Sequence, residues 1–296
     1  MAIKSKTWDY LKKELLKKFP NFISTNGVFT KILKYEVRDL DWNHMDGFHR
    51  PTIHDTYHEA IKFANDKDFQ FSFTRFGKTP LIIPVFDMRL GNGKFYQTFS
   101  IFNLFTIICF TKIEKLESSK VKQVIEWQIL SHPFLKFLHK FISKKIYNLN
   151  KIQTEEDFVI RERRFYLRSK GFKFETDNPN YINSNNLKSK LIPPNFDSKK
   201  SLEIKLENLL NNKKKLVEFN SISFFIQRNQ NTLLIWPGIC THEGAQLNKD
   251  CFKDKSLICP WHNLVFKPFK LSSNDPPIKI LGVNLLFSDK KLKIFP

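Results

Sequence analysis

The sequence contains little glycine or cysteine and has no long hydrophobic run. Its 296 residues include 9 Gly and 4 Cys, which excludes a collagen-like repeat and argues against a disulfide framework. The longest apolar run, residues 99–110, includes polar residues and is shorter than the roughly 20 residues that span a bilayer. Because no apolar leader follows Met1, the sequence predicts a cytoplasmic protein without a transmembrane segment.

Apolar and aromatic residues, by contrast, are abundant. The chain is 41% hydrophobic and contains 31 Phe, which is enough to bury a large core and excludes intrinsic disorder. At roughly 100–200 residues per domain, this length favours two domains.

The chain is also strongly basic, with 49 Lys and Arg against 29 Asp and Glu. The basic residues are scattered in pairs and triplets, such as residues 213–215, rather than gathered in a stripe. Lys, Asn, Ile and Phe are all encoded by codons rich in A and T, so genome composition accounts for much of the excess. We therefore predict no nucleic-acid partner, although the basic surface would suit an acidic protein.

The first two-thirds of the chain has an α+β pattern. Residues 7–19 have the spacing of an amphipathic helix, and residues 69–110 form short apolar runs separated by turn residues, which predicts antiparallel strands. Helical spacing returns over residues 121–149 and 155–169.

A polar, proline-containing stretch over residues 178–195 indicates a domain boundary. We therefore predict a first domain over residues 1–195, a linker helix over 196–214 and a small all-β domain over 215–296. The linker helix is predicted from leucines at helical spacing: Leu202, Leu206, Leu209 and Leu210.

Two short motifs in the last domain combine cysteine and histidine. Cys240 and His242 form a C-x-H pair, and after sixteen intervening residues Cys259 and His262 form a C-x-x-H pair. Zinc fingers usually separate paired ligands by two to four residues. A [2Fe–2S] centre in which histidines replace cysteines on one iron is the alternative.

These two motifs resemble those of the Rieske family. The resemblance implies a cluster with Cys240 and Cys259 on one iron and His242 and His262 on the other. Asn263 follows the second histidine where the family usually has Gly, and we expect it to adopt a positive φ. Cys251 has no cysteine partner in the second loop, and we expect it to be a small buried residue.

The first domain contains a cluster of histidines behind an aspartate. Asp41, His44 and His49 fit the pattern D-x-x-H-x-x-x-x-H, which resembles the mononuclear-iron motif of Rieske-type non-haem iron oxygenases. Two histidines and one carboxylate leave positions on Fe(II) open for dioxygen. His54 and His58, four residues apart, are an alternative ligand pair.

The resemblance implies roles for several residues. His44 and His49 would bind iron, and Asp157, with Glu156 as alternative, would be the third ligand at the start of a late helix. Asp41 would bridge the two metal sites, contacting a ligand histidine and His262 across a subunit interface. A helix-grip catalytic domain, an antiparallel sheet curved around a long helix, and a homotrimer are also implied, although the domain order here is the reverse of the usual one.

The predicted function is therefore that of a Rieske oxygenase. Electrons from a ferredoxin or flavin reductase would pass through the cluster to Fe(II) and drive dioxygen insertion into a substrate. The Phe-rich strands favour an apolar pocket and a hydrophobic substrate. An electron-transfer or redox-sensing protein, whose first domain binds a ligand or partner without iron, is the alternative, and a zinc-stabilised binding module is a third.

Overall fold

The computed structural model describes residues 8–47, 49–54, 57–65, 68–76, 82–91, 93–101, 104–117, 119–178, 189–288 and 290–296. The chain divides into two compact units. The first contains Met1–Glu162 and Pro179–Asn185, and the second contains Arg163–Asn178 and Asn186–Pro296. The boundary that we predicted at residue 195 therefore differs from the division in the structure.

The first unit contains a large antiparallel sheet. Its helices and strands are α1 (Trp8–Lys18), β1 (Ile23–Leu33), α2 (Val37–Met45), α3 (Arg50–Ile53), β2 (Tyr57–Asn65), β3 (Phe69–Phe76), β4 (Ile82–Gly91), β5 (Lys94–Ile101), β6 (Phe105–Glu117), β7 (Lys120–Ser131) and α4 (Lys136–Ser169), of which the last turns belong to the second unit. The seven strands follow the order β1-β7-β6-β5-β4-β3-β2.

Helix α4 packs against this sheet. Ile146 of α4 shares a buried cluster with Ile107, Ile125 and Trp127 of strands β6 and β7. The Trp127 indole Nε1 also donates a hydrogen bond to Ser143 Oγ of α4 at 3.1 Å. A sheet around a long helix resembles the helix-grip fold, as predicted.

The helix predicted over residues 121–149 is wrong in its first part. Residues 121–131 lie in β7, and the helical residues begin only at Lys136. Successive residues of β7 are buried, including Ile129 and Leu130. A strand that is covered on both faces does not alternate between apolar and polar residues, which made its pattern resemble that of a helix.

The second unit is rich in short strands. They are β8 (Lys173–Phe174), β9 (Leu191–Ile192), β10 (Leu202–Lys205), β11 (Lys214–Phe219), β12 (Ile222–Asn229), β13 (Thr232–Pro237), β14 (Phe252–Lys253), β15 (Ser256–Ile258), β16 (Val265–Phe266), β17 (Phe269–Ser272), β18 (Ile278–Ile280), β19 (Val283–Phe287) and β20 (Lys291–Phe295). The two four-stranded sheets have the orders β10-β20-β19-β18 and β11-β12-β13-β17.

The linker helix predicted over residues 196–214 is also wrong. Residues Leu202–Lys205 form β10, which pairs antiparallel with β20, and a single 3-10 turn follows at Leu206–Asn208. Leu206 and Leu209 are buried in the core of the second unit. The leucine spacing that predicted a helix arises because a strand and the turn after it both contribute side chains to this core. This segment therefore belongs to the β domain.

Candidate metal centres

The two cysteine-histidine loops of the second unit have the same backbone design. The Cys240 amide donates to Ala245 O at 2.8 Å, and the Gly244 amide donates to Cys240 O at 3.0 Å. In the second loop, the Cys259 amide donates to Leu264 O and the Asn263 amide donates to Cys259 O. In each loop, two backbone hydrogen bonds therefore join the cysteine to residues that follow it.

In each loop, the residue just before the one whose carbonyl accepts the cysteine amide has a positive φ. Gly244 has φ +80°, and a Cβ added there would lie 2.4 Å from Leu167 Cδ1, so the first loop needs glycine for two reasons. Asn263 has φ 56°, which confirms the predicted conformation. Cys251 is only half-buried, and its sulfur hydrogen-bonds Asn248 at a short turn, so the expectation that it is buried is wrong.

The loops bring the predicted cluster ligands together. The Nδ1 atoms of His242 and His262 lie 3.3 Å apart, so both can bind one metal ion. Cys240 and Cys259 are fully buried. A hydrogen bond from the Cys240 thiol lowers the pKa of Cys259 to about 5, and the same bond, together with burial, raises the pKa of Cys240.

This donor set fits a [2Fe–2S] cluster. Backbone amides of His242 and Glu243 point at the Cys240 sulfur, and those of Trp261 and His262 point at Cys259, which stabilises bound thiolates. Two thiols and two imidazoles are the donors of a cluster in which cysteines bind one iron and histidines bind the other.

A buried ion pair stabilises the first loop, and it was not predicted from the sequence. The Glu243 carboxylate accepts hydrogen bonds from the Arg164 guanidinium and from Ser189 Oγ. Arg164 also donates to Asp177 at 3.2 Å and lies 3.8 Å from the ring centre of Phe174. The i, i+4 spacing of Arg164 and Arg168 was visible in the sequence, but no local pattern connects Arg164 with residue 243.

The first unit contains a second group of metal-binding side chains. The ligand atoms of His49, His54 and Asp157 lie within 4.8 Å of one another. Asp157 Oδ1 is 3.4 Å from His49 Nε2 and 3.1 Å from His54 Nε2. The two histidines cap the two ends of the short helix α3, and Asp157 lies on α4.

A carboxylate lies behind each imidazole of this group. His54 Nδ1 is 2.7 Å from Glu156 Oε2, and His49 Nδ1 is 3.5 Å from Asp46 Oδ2. Metal-binding histidines usually have such a partner, which fixes the ring and leaves the other nitrogen free for the metal. The arrangement directs both Nε2 atoms towards Asp157.

The charges of the group keep the Asp157 carboxylate ionised. Burial alone would raise the pKa of Asp157, but the nearby Arg161 charge and the hydrogen bonds of His49 and His54 hold this pKa well below its usual range. Burial alone would lower the pKa of His49, but its hydrogen bonds with Asp157 and Asp46 outweigh burial and raise it. Asp157 is therefore ionised at neutral pH.

The structure places the predicted ligands differently from the motif. His49 and Asp157 come together, but His54 and not His44 completes the group of three. His44 lines the same cavity with its ring 4.4 Å from that of Phe95. Burial, with a smaller effect of Arg161, lowers the pKa of His44 to about 3. The side chain of His58 lies outside the described residues.

Two further expectations differ from the structure. Asp41 accepts hydrogen bonds from Arg89 Nη2 and the Gly93 amide, both at 3.0 Å, and the described residues show no contact between Asp41 and a histidine. The carboxylate next to His49 is instead Asp46. Asp157 lies well inside α4 rather than at its start, and Glu156 contacts His54.

The cavity beside the metal group is small and mostly polar. Its volume is about 60 Å³, whereas the Phe-rich strands had suggested an apolar pocket. Its walls are formed by Asn43, His44, His49, Arg50, His54, Phe95, Gln97, Cys109, Thr111, Gln123, Ile125, Asn150, Gln153, Thr154, Asp157 and Arg161.

Several solved structures share an arrangement with about half of this chain. The Zhui aromatase/cyclase from Streptomyces sp. R1128 has 9% sequence identity and a TM-score of 0.41, covering 48% of this chain and 96% of that chain. Norcoclaurine synthase from Thalictrum flavum has 5% identity and a TM-score of 0.40, covering 54% and 94%. No curated protein matches the chain.

No helix among the described residues is both long and apolar enough to cross a membrane.

A family model matches the part of the chain that contains both cysteine-histidine loops. The model describes the Rieske [2Fe-2S] domain and matches residues 201–276. The match begins next to β10, which agrees with the place of this strand in the second unit. The chain therefore carries a Rieske [2Fe–2S] domain in its C-terminal part.

Proposed function

We propose that the protein is a Rieske-type non-haem iron oxygenase. In this proposal a ferredoxin or flavin reductase donates electrons to the Rieske domain, and His49, His54 and Asp157 hold a mononuclear Fe(II) in the first unit. The cluster supplies one-electron transfer, and Fe(II) with two histidines and one carboxylate supplies dioxygen activation. A homotrimer, as in the family, belongs to the same proposal.

The observation that carries the proposal is the pairing of each imidazole with its own carboxylate. Glu156 is hydrogen-bonded to His54 Nδ1 at 2.7 Å, Asp46 Oδ2 faces His49 Nδ1 at 3.5 Å, and both Nε2 atoms lie near Asp157 Oδ1 in a buried cavity. A merely structural cluster would not need two histidines that are oriented in this way.

Neighbouring side chains hold the third ligand in place. Arg161 Nη2 donates to Asp157 Oδ2 at 2.6 Å, and Asn43 Nδ2 donates to Asp157 Oδ1 at 3.2 Å. Arg161 Nε also donates to Asn43 Oδ1 at 3.0 Å. These bonds fix the carboxylate before a metal binds and keep it ionised, which reduces the cost of forming the site.

The overall reaction requires an external reductant. Insertion of one oxygen atom consumes O₂, two electrons and two protons and releases water, whereas insertion of both atoms consumes the same electrons and protons without releasing water. The Rieske domain gives the chain a way to accept those electrons.

The test is the content of iron and acid-labile sulfide in protein purified without oxygen. The proposal expects about three irons and two sulfides per chain, and about two irons and two sulfides in His49→Ala and Asp157→Ala. His132→Ala is the matched control, because His132 contacts the Phe22 ring and stacks on Phe134 outside the cavity.

The cluster spectrum should be unchanged in all of these variants. Two irons per chain in the unaltered protein, even after addition of Fe(II), would overturn the proposal. That result would leave an electron-transfer protein with a metal-free first unit.

A further inference from the structure

Among the polar residues of helix α4 that line the cavity, three follow one another at helical spacing. Asn150, Gln153 and Asp157 all line it, and residues three and four apart lie on one face of a helix. Asp157 is the proposed metal ligand. The other two side chains have no role in the metal site.

These two amides and one histidine have buried polar atoms that lack partners. Within the ranges that the structure describes, Asn150 Nδ2, Gln153 Nε2 and His44 Nε2 are buried and make no hydrogen bond. Buried polar groups in proteins are nearly always hydrogen-bonded, because a group that loses its hydrogen bonds to water and gains no other partner destabilises the folded state. Besides His49 Nδ1 in the metal group, these three atoms lie around one cavity, which indicates that their partner is a molecule within it.

The charges of the cavity restrict the class of this molecule. The guanidinium groups of Arg50 and Arg161 lie in its wall, and they are paired with Asp87 and Asp157 respectively. These ion pairs leave the amide groups as the unpaired donors of the wall, and a hydrocarbon would not satisfy them. Amide N–H groups instead suit acceptor oxygens.

We propose that Asn150, Gln153 and His44 form a substrate subsite for a small molecule with a carboxylate or carbonyl oxygen. This inference rests on the proposed function, because it places the substrate beside the iron ligands. It replaces the expectation of a hydrophobic substrate with that of a small polar one. His44 then contacts substrate rather than metal, with its ring held against Phe95.

The test compares small probes by ligand-observed NMR titration of the anaerobic full-length protein. Acetate and acetamide carry the required oxygen, whereas benzene does not. We expect both polar probes to bind and benzene not to bind. Asn150→Leu and Gln153→Leu should each weaken polar binding by about tenfold, the effect of losing one buried hydrogen bond to a ligand.

Two further variants provide a matched control and a test of charge at the subsite. Asn148→Leu is the matched control on the same helix, because Asn148 is exposed to solvent, and it should bind both probes normally. Asn150→Asp places a negative charge at the subsite, so it should abolish binding of acetate and retain binding of acetamide. Preserved polar binding in both leucine variants, absent polar binding in the unaltered protein, or tighter binding of benzene would overturn the subsite.

Iron analysis of the same samples separates the two proposals. Three irons without polar binding would contradict the subsite alone. Two irons with polar binding that Asn150→Leu weakens would contradict the oxygenase proposal and leave a binding site for polar oxygen compounds in the first unit.

Discussion

Arg164 and Glu243 form a fully buried ion pair next to His242, a predicted cluster ligand. Arg164 lies in the last turns of α4, and Glu243 follows His242 in the first loop. Glu243 Oε1 is 4.0 Å from His242 Nε2. The pair fixes the loop in place and also places a carboxylate next to the imidazole of a metal ligand, so it influences both the geometry and the charge of the cluster.

Removing the negative charge of Glu243 should raise the reduction potential of the cluster. In Glu243→Gln the added electron is no longer repelled by this carboxylate, so we expect an upward shift on the order of tens of millivolts. Redox titration of the cluster absorbance measures it. Glu203→Gln is the control in the same unit, because Glu203 is exposed and pairs with Lys291. Equal potentials in both variants would show that the Glu243 charge does not act on the cluster.

The second histidine ligand of the mononuclear site should be His54. His54 has a carboxylate at its Nδ1 and directs its Nε2 at Asp157, whereas His44 stacks on Phe95. His54→Ala should therefore reduce iron from about three to about two per chain, and His44→Ala should keep about three. Iron analysis with the cluster absorbance as internal reference distinguishes them. The opposite pattern would restore the ligands of the sequence motif.

The Rieske domain could be predicted from the sequence because each of its two loops carries a local motif. Cys240 and His242 lie in one turn, and Cys259 and His262 in another, so spacing alone indicates their chemistry. The family match over residues 201–276 supports the same domain. Even the positive φ of Asn263 followed from its position in the motif.

The proposed mononuclear site was only partly predictable because its residues come from distant parts of the chain. Short helix α3, with Pro51 at its first turn, folds the chain so that His49 and His54 both reach α4. The spacing of residues in the sequence does not describe this turn. The sequence motif therefore indicated His44, and not His54, as a metal ligand. The buried polar residues of the sheet, such as Gln123, likewise depend on pairing that only the folded structure shows.

Reactivity of the cysteines should follow their burial. Burial raises the pKa of Cys109 to about 12, so its thiol stays protonated at pH 8, and only the thiolate reacts with iodoacetamide. Cys240 and Cys259 are buried in the cluster loops, whereas Cys251 is half-buried. We expect peptide mass spectrometry of the labelled native protein to find modification at Cys251 alone. Comparable labelling of Cys109 would mean that the cavity wall opens to solvent.

The second cluster loop should tolerate glycine at residue 263 but not alanine. Asn263 has φ 56°, a conformation that asparagine and glycine adopt more easily than other residues, because a Cβ then crowds the backbone. Asn263→Ala should lower the free energy of unfolding by about 1 kcal/mol, and Asn263→Gly should remain close to the unaltered protein.

Urea unfolding, followed by loss of the cluster absorbance, measures these changes. Asn274→Ala is the control, since Asn274 is exposed in the same unit and lacks a positive φ. The Ala variant at residue 263 should also lose its cluster faster on warming, because the amide of this residue closes the loop onto Cys259 O at 2.9 Å. An alanine variant as stable as the control would show that the loop relaxes to a negative φ at no cost, and the conformation would then not explain the asparagine.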